Sequence, residues 1–160
     1  MKITRLEGDF SPVEIRGYNS KSRKTYSDYA VIASDEAHKI IAIGKEAYKY
    51  IDAVERTAMG EVSVYSTFKR NVVAEFEETV AVVKLIFKEI LIGAKNKIFK
   101  PTVVVCIPFE LTGVETRAFQ EVFIMAGAKN VIILERDFED NKRELANNYS
   151  IVIGIIPNKL

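Results

Sequence analysis

The run Thr102-Val103-Val104-Val105-Cys106-Ile107 constrains this chain more than any other stretch. An almost unbroken apolar segment of that length fits a strand buried on both faces, and such strands belong to parallel sheets covered by helices. Pro108 ends it. Thr112-Gly113-Val114-Glu115 then reads as a capping box, in which the Thr112 hydroxyl and the Glu115 carboxylate satisfy N–H groups that a helix start leaves unpaired. The helix continues to Ala126, with Gly127 as its C-cap. Val131–Leu134 supplies a second strand, parallel to the first through a crossover. The unit predicts an α/β protein.

The other segments are consistent with that class. Met1–Gly17 reads as two short strands around a Gly8-Asp9 turn, Lys2–Leu6 and Val13–Ile15. Asn19–Lys24 is polar and basic, an exposed loop. Tyr26–Ala33 reads as a third strand, and Ile40–Ile43 as a fourth that ends at Gly44. Lys45–Val54 has helical spacing, with Ala47, Tyr48, Ile51 and Val54 on one side. Val62 and Val64 alternate as a strand would. The strongest helix is Glu75–Leu91, where Phe76, Val80, Val83, Phe87 and Ile90 form a stripe that Val82, Leu85 and Ile86 widen. So broad an apolar face predicts contact with two surfaces. A charged segment, Glu135–Glu144, leads to a last apolar strand, Ile151–Ile156.

Composition removes several classes of function. The 160 residues suit one domain. A net charge of +1 leaves no general footprint for nucleic acid. One Cys and one His exclude an internal disulfide and a Cys/His zinc site. Ile151–Ile156 is too short to span a membrane, and Met1–Arg5 opens into charge without a secretory pattern. The expectation is a cytoplasmic domain.

Several segments, in order, resemble bacterial actin homologues of the MreB type, the rod shape-determining proteins. They are Ala30-Val31-Ile32-Ala33, Ala42-Ile43-Gly44-Lys45-Glu46-Ala47, and Glu61–Leu91 with Val72-Val73-Ala74-Glu75-Phe76-Glu77 at its centre. Val103–Pro108, Thr112–Ala118 and Ala126-Gly127-Ala128 complete the set, and the resemblance covers Tyr26 to Glu135. It implies the first lobe of the actin fold: an α/β, RNase H-like mixed sheet with flanking helices and a small α/β subdomain inserted at about 34–70. On this reading residues 1–160 are a single lobe, and 151–160 are a remnant of the first strand of a second lobe. A complete relative would be about twice as long, the second lobe closing over ATP and Mg²⁺.

The resemblance also exposes departures. Actin-type sites grip phosphates with Gly-rich hairpins, since only small residues let backbone N–H groups approach. An Asp at each hairpin organises Mg²⁺. The family's first loop runs Asp-Leu-Gly-Thr. Here the stretch is Arg5-Leu6-Glu7-Gly8-Asp9-Phe10-Ser11, with Arg5 where the Asp belongs and Glu7 set against phosphate; a shift that brings Asp9 or Gly8 nearer does not restore the motif. The second loop, Asp-Ile-Gly-Gly-Gly-Thr, corresponds to Gly154-Ile155-Ile156-Pro157-Asn158. The acidic residue that positions the attacking water falls on Arg136, beside Glu135 and Asp137. These losses predict no ATPase activity and no cofactor. The chain also lacks a Walker A sequence and a Gly-x-Gly-x-x-Gly fingerprint.

Other residue types carry bland readings beside sharper ones. Cys106 sits in an apolar strand far from His38, so a structural thiol outweighs a nucleophile. His38 reads as a solvated turn residue, Asp137, Glu139 and Asp140 as a solvated loop, and Lys21, Arg23 and Lys24 as an exposed one. In Lys97-Ile98-Phe99-Lys100-Pro101, two apolar residues sit between lysines. The equivalent loop of the family dips into membrane, so Ile98 and Phe99 can insert while Lys97 and Lys100 meet anionic headgroups; the plain alternative is that Phe99 caps the sheet. On Glu115–Ala126, Phe119 and Phe123 either face a partner or pack inside, and family filaments pair through this helix region. The leading reading is a catalytically inactive interaction protein that binds a full-length relative or itself, with possible peripheral membrane contact. The alternatives are an ATPase half-site completed by a second chain and a lobe put to an unrelated use.

Overall fold

The computed structural model describes residues 3–6, 12–51, 61–91 and 100–157, with backbone alone for 3–6. Eleven strands, three α-helices and a short 3-10 helix are found among them. The strands are β1 (Ile3–Leu6), β2 (Glu14–Asn19), β3 (Lys24–Tyr29), β4 (Val31–Ser34), β5 (Ile40–Ile43), β6 (Val62–Ser66), β7 (Phe68–Lys69), β8 (Val72–Val73), β9 (Thr102–Cys106), β10 (Asn130–Leu134) and β11 (Ile151–Ile156). The helices are α1 (Phe76–Ile90), α2 (Gly113–Ala126) and α3 (Phe138–Ala146), and the 3-10 helix is Gly44–Tyr50.

The main sheet has the order β10-β9-β11-β2-β3. β10, β9 and β11 are parallel, β2 runs against β11, and β3 against β2. As its composition requires, β9 is flanked by strands on both sides, and Val103 to Cys106 are fully buried. A smaller sheet has the order β1-β6-β4-β5.

The pairing differs from the sequence reading at both termini of the described chain. Lys2–Leu6 and Val13–Ile15 were expected to lie around one turn. Instead β1 lies parallel to β6 in the smaller sheet, while β2 pairs with β11 and β3 in the main one. The partners of both strands are distant in sequence, which local turn chemistry does not reveal. Residues 151–156, read as the beginning of another lobe, are the central strand of this sheet, between β9 and β2. The expected strand Tyr26–Ala33 is two strands that leave for different sheets on either side of Ala30. The helix expected over Lys45–Val54 is the 3-10 helix Gly44–Tyr50, and residues 52–54 fall outside the described residues.

Helices cover the main sheet unequally. α1 and α2 share one face, where Ile15, Val83, Ile86, Val105, Phe119, Phe123 and Ile153 form the largest core cluster. α1 touches both α2 and the β2–β3 pair, as its wide apolar face predicts. α3 lies on the opposite face, with Phe138 and Leu145 packed on Val104, Cys106 and Val152. The charged segment Glu135–Glu144 therefore contains most of a helix. Its signals are Asp137 as N-cap and two apolar residues seven positions apart, Phe138 and Leu145, on an otherwise polar surface.

Candidate functional site

Gly154 and Arg136 are two of the positions that the resemblance assigns to the phosphate site. Gly154 sits inside β11, with Cys106 beside it on β9 and Arg16 beside it on β2. It is part of no Gly-rich turn. A Cβ there would collide with the ring of Phe138, so this glycine gives α3 its close approach to the sheet. Gly17 does the same on the other face, where a Cβ would stand 2.8 Å from Ile86 Cγ2. Arg136 is exposed, and its N–H donates to the Leu134 carbonyl at 2.9 Å. Asp137 accepts from the Asp140 N–H at 3.0 Å and caps α3. Arg5 is the third residue of β1, bounded in register by Ile3 and Leu6 opposite Val62 and Val64. Glu7 and Gly8 lie outside the described residues.

The acidic group Asp137, Glu139 and Asp140 is thus the first turn of α3, where negative charge complements the helix dipole. Glu139 accepts from Arg16 Nη1 at 2.7 Å and pairs with Lys142 at 3.0 Å. Hydrogen bonding to Lys142 and Arg16 holds its carboxyl below the usual range against some desolvation. Arg16 also donates to both oxygens of Glu14, at 3.0 and 3.1 Å, and that bond is the largest cause of its raised pKa. Among the described residues no group of three or more His, Cys, Asp or Glu is placed to hold a metal.

Cys106 is fully buried, and burial pushes its thiol up to about 11. A thiol so seldom ionised is a poor nucleophile. His38 is exposed, with a φ of 63° in the turn before β5. Lys21 and Arg23 are exposed in the turn between β2 and β3, and Lys24, also exposed, is the first residue of β3 instead of part of the expected loop.

α2 begins with the capping box read from the sequence. Thr112 Oγ1 accepts from the Glu115 N–H at 3.2 Å, and Glu115 Oε1 accepts from the Thr112 N–H at 2.9 Å. The partner face read on this helix needs correction. Phe119 and Phe123 are each 1% exposed and belong to the core. Their rings lie 5.7 Å from Phe68 and 6.1 Å from Phe87, centroid to centroid. The residues turned outward are Val114, 81% exposed, Met125, 62%, and Ile124, 43%. Val114 and Met125 are three turns apart on one stripe, which passes through exposed Arg117 and Glu121. A two-sided apolar helix hid this outer stripe, because the phenylalanines dominated the pattern.

Of the membrane-loop residues, Lys100 is exposed, while Lys97, Ile98 and Phe99 lie outside the described residues. Among the described residues no helix is long and apolar enough to cross a membrane.

Comparison with known proteins places this geometry. The family model described as MreB/Mbl protein matches residues 12–139. The cell shape-determining protein Mbl of Bacillus subtilis (strain 168) is 31% identical over 107 residues, 66% of this chain and 30% of the relative. Its namesake from Bacillus cereus (strain ATCC 10987 / NRS 248) gives the same identity and coverage. This chain therefore spans under a third of the length of the curated relatives it matches. A crystal structure of MreB5 of Spiroplasma citri bound to AMPPNP superposes with a TM-score of 0.61 at 27% identity, covering 79% of this chain and 37% of that one. The same protein bound to ADP gives 0.54 at 26% identity, covering 72% and 33%. With the family model matched along most of its length and an actin-like mixed sheet between its helices, the chain belongs to the MreB/Mbl family.

Proposed function

We propose that this chain is a non-hydrolysing member of the MreB/Mbl family that works through protein contact, pairing with a second copy or with a longer family member of the cell-shape cytoskeleton. The observation that carries the reading is Arg136, which lies exposed just after β10 where the resemblance expects the acidic residue that positions water. Gly154, which the resemblance assigned to a second phosphate turn, is a residue of the central strand β11 beneath Phe138. The S. citri protein was crystallised with AMPPNP and with ADP; the residues this chain has at the corresponding positions favour neither.

The outer stripe of α2 supports contact as the mode of action. Exposed apolar residues at both ends with opposite charges between them make a self-complementary surface. Two such helices laid antiparallel bring Val114 against Met125 and Arg117 against Glu121, the reciprocal pattern of a two-fold interface. A peripheral membrane contact through Lys97, Ile98, Phe99 and Lys100 belongs to the same proposal, as a way to raise avidity.

Isothermal calorimetry with Mg·ATP tests the catalytic half, and the expected outcome is no heat of binding. Saturable, Mg²⁺-dependent binding overturns it in favour of a half-site completed by a second chain. Sedimentation velocity tests the contact half. Concentration-dependent association that Met125→Glu abolishes is expected; an unchanged monomer, alone and with a full-length relative, overturns it.

A further inference from the structure

β10 lies at the opposite end of the main sheet from β3, and among the described residues it pairs with β9 alone. Sheets usually blunt such an edge with charge, proline or a bulge. β3 is blunted, since it opens on exposed Lys24 and Thr25. β10 is not. Val131-Ile132-Ile133-Leu134 is an uncharged, mostly β-branched run, in regular register with β9 throughout. All four residues are half-buried. Val131 and Ile133 pack against the core that α1 and α2 cover, and Ile132 and Leu134 against the one beneath α3.

One bond fixes which backbone groups face outward. The Leu134 carbonyl accepts from the Ile107 N–H at 2.9 Å, so Leu134 serves β9. Main-chain groups of successive strand residues turn to opposite sides. Ile132 therefore serves β9 as well, while Val131 and Ile133 direct their N–H and C=O to the open side. A charge stands just beyond each end of the strand, Lys129 before it and Glu135 after it. Both are exposed, and neither makes an ion pair among the described residues. The Lys129 N–H is held by the Pro101 carbonyl at 2.8 Å, which leaves its side chain, not its backbone, for a further contact.

We infer that β10 pairs with β10 of a second copy, antiparallel about a two-fold axis at Ile132, joining two main sheets edge to edge. In that register Val131 lies opposite Ile133 of the second copy, and the two exchange main-chain hydrogen bonds. Ile132 meets its own counterpart in a non-hydrogen-bonded pair, where side chains come closest. Lys129 stands opposite Glu135, and Glu135 opposite Lys129, the reciprocal contact of an isologous interface. Arg136 falls opposite Ala128, which brings no charge. A shift of two residues in either direction sets Glu135 against Val131 or Lys129 against Ile133, so the charges select the register. An edge of five residues is short for a stable interface, and it joins copies only at concentrations above those at which the α2 stripe associates. The pairing rests neither on that stripe nor on the loss of catalysis.

The test follows amide exchange residue by residue as protein concentration is raised. It is made in Met125→Glu protein and again in Val114→Glu protein, each of which silences the α2 stripe. The expected result is exchange that slows with concentration at Val131 and Ile133 and stays constant at Thr25–Ser27 on the other edge. Lys129→Glu and Glu135→Lys should each weaken this association roughly tenfold, because both exposed charge contacts of the pair turn repulsive. Both side chains are exposed, so neither change disturbs the core. Mixing the two variants in equal amounts should restore association, since a Lys129→Glu copy meets opposite charge on a Glu135→Lys copy at both ends. The double variant should associate with itself for the same reason. Exchange at Val131 and Ile133 that ignores concentration overturns the proposal. So does association that either single variant leaves unchanged, or a mixture that associates no better than its components. The α2 stripe is read separately, with Val114 and Met125 intact, and survives any of these failures.

Discussion

The ring of Phe138 occupies the space that any side chain on Gly154 would need. α3 and β11 are thereby held at a spacing that only glycine permits. Gly154→Ala is expected to destabilise the fold by about 1–3 kcal/mol through overpacking, read as a lower urea midpoint. Phe138→Ala removes a ring that is 3% exposed and should cost about 3–5 kcal/mol. Adding Gly154→Ala to Phe138→Ala should cost less than it does alone, since the contact is then gone. Additive losses would show that Gly154 is held for another reason.

The two sides of α2 separate stability from association. Phe123→Ala should cost about 3–5 kcal/mol, as for other buried aromatic residues, and Phe119→Ala a similar amount. Val114→Glu or Met125→Glu, on the exposed stripe, should leave the unfolding midpoint within about 0.5 kcal/mol of the parent while abolishing association in sedimentation velocity. A Met125→Glu protein that associates as well as the parent removes this stripe from consideration.

Cys106 should resist thiol reagents at pH 8 in the folded protein and react at once in urea. Its folded thiol ionises near 11 because of burial, whereas an unfolded cysteine ionises near 8.5. The folded state therefore keeps the proton through that interval. The associated stability is intact below the unfolded value and is lost as pH rises toward 11. Urea midpoints measured from pH 8 upward should fall less steeply in Cys106→Ala than in the parent. Parallel slopes would assign the alkaline loss to other groups.

Asp28 joins the main sheet to the 3-10 helix. It is 2% exposed and accepts from the Tyr29 N–H at 2.8 Å, the Lys45 N–H at 2.7 Å and the Tyr26 hydroxyl at 3.1 Å. Gly44, at a φ of 66°, leaves room for that carboxylate. Asp28→Ala should cost about 2–3 kcal/mol, as for buried bonds to a charged acceptor. Asp28→Asn, which keeps an acceptor for the two N–H groups, should cost less than half as much. Equal losses would mean that the charge matters more than the bonds.

What the sequence made legible was local. The Thr112–Glu115 capping box, β9 and α1 could be read because their signals lie within one element and the structure has nothing to override. The parallel pair β9–β10 followed from the crossover between them. What it hid was pairing at a distance. Nothing in Lys2–Leu6 announces a neighbour at Val62–Val64, and nothing in Ile151–Ile156 announces one at Glu14–Asn19. The same gap affected the site. Gly154 resembles a turn glycine until Phe138 is known to lie over it, and Phe119 resembles a surface aromatic until Phe68 is found beside it. The capped start of α3 was a missed signal that the sequence itself contained, in Asp137 and in the spacing of Phe138 and Leu145.

The order of assembly follows from β11. Its two neighbours in the sheet, β2 and β9, are joined to each other only through it. Until residues 151–156 arrive, a growing chain holds two unconnected ribbons, β2–β3 and β9–β10, with α1 and α2 already available to collapse upon them. Contacts this far apart in sequence slow folding, and a ribosome delivers this strand after every other described strand of the sheet. The nascent protein must therefore carry an open edge of β2 from residue 19, and one of β9 from residue 106, until β11 is made. For this lobe the exposed interval is set by translation, and chaperone demand should scale with how long the ribosome takes to travel from β2 to β11.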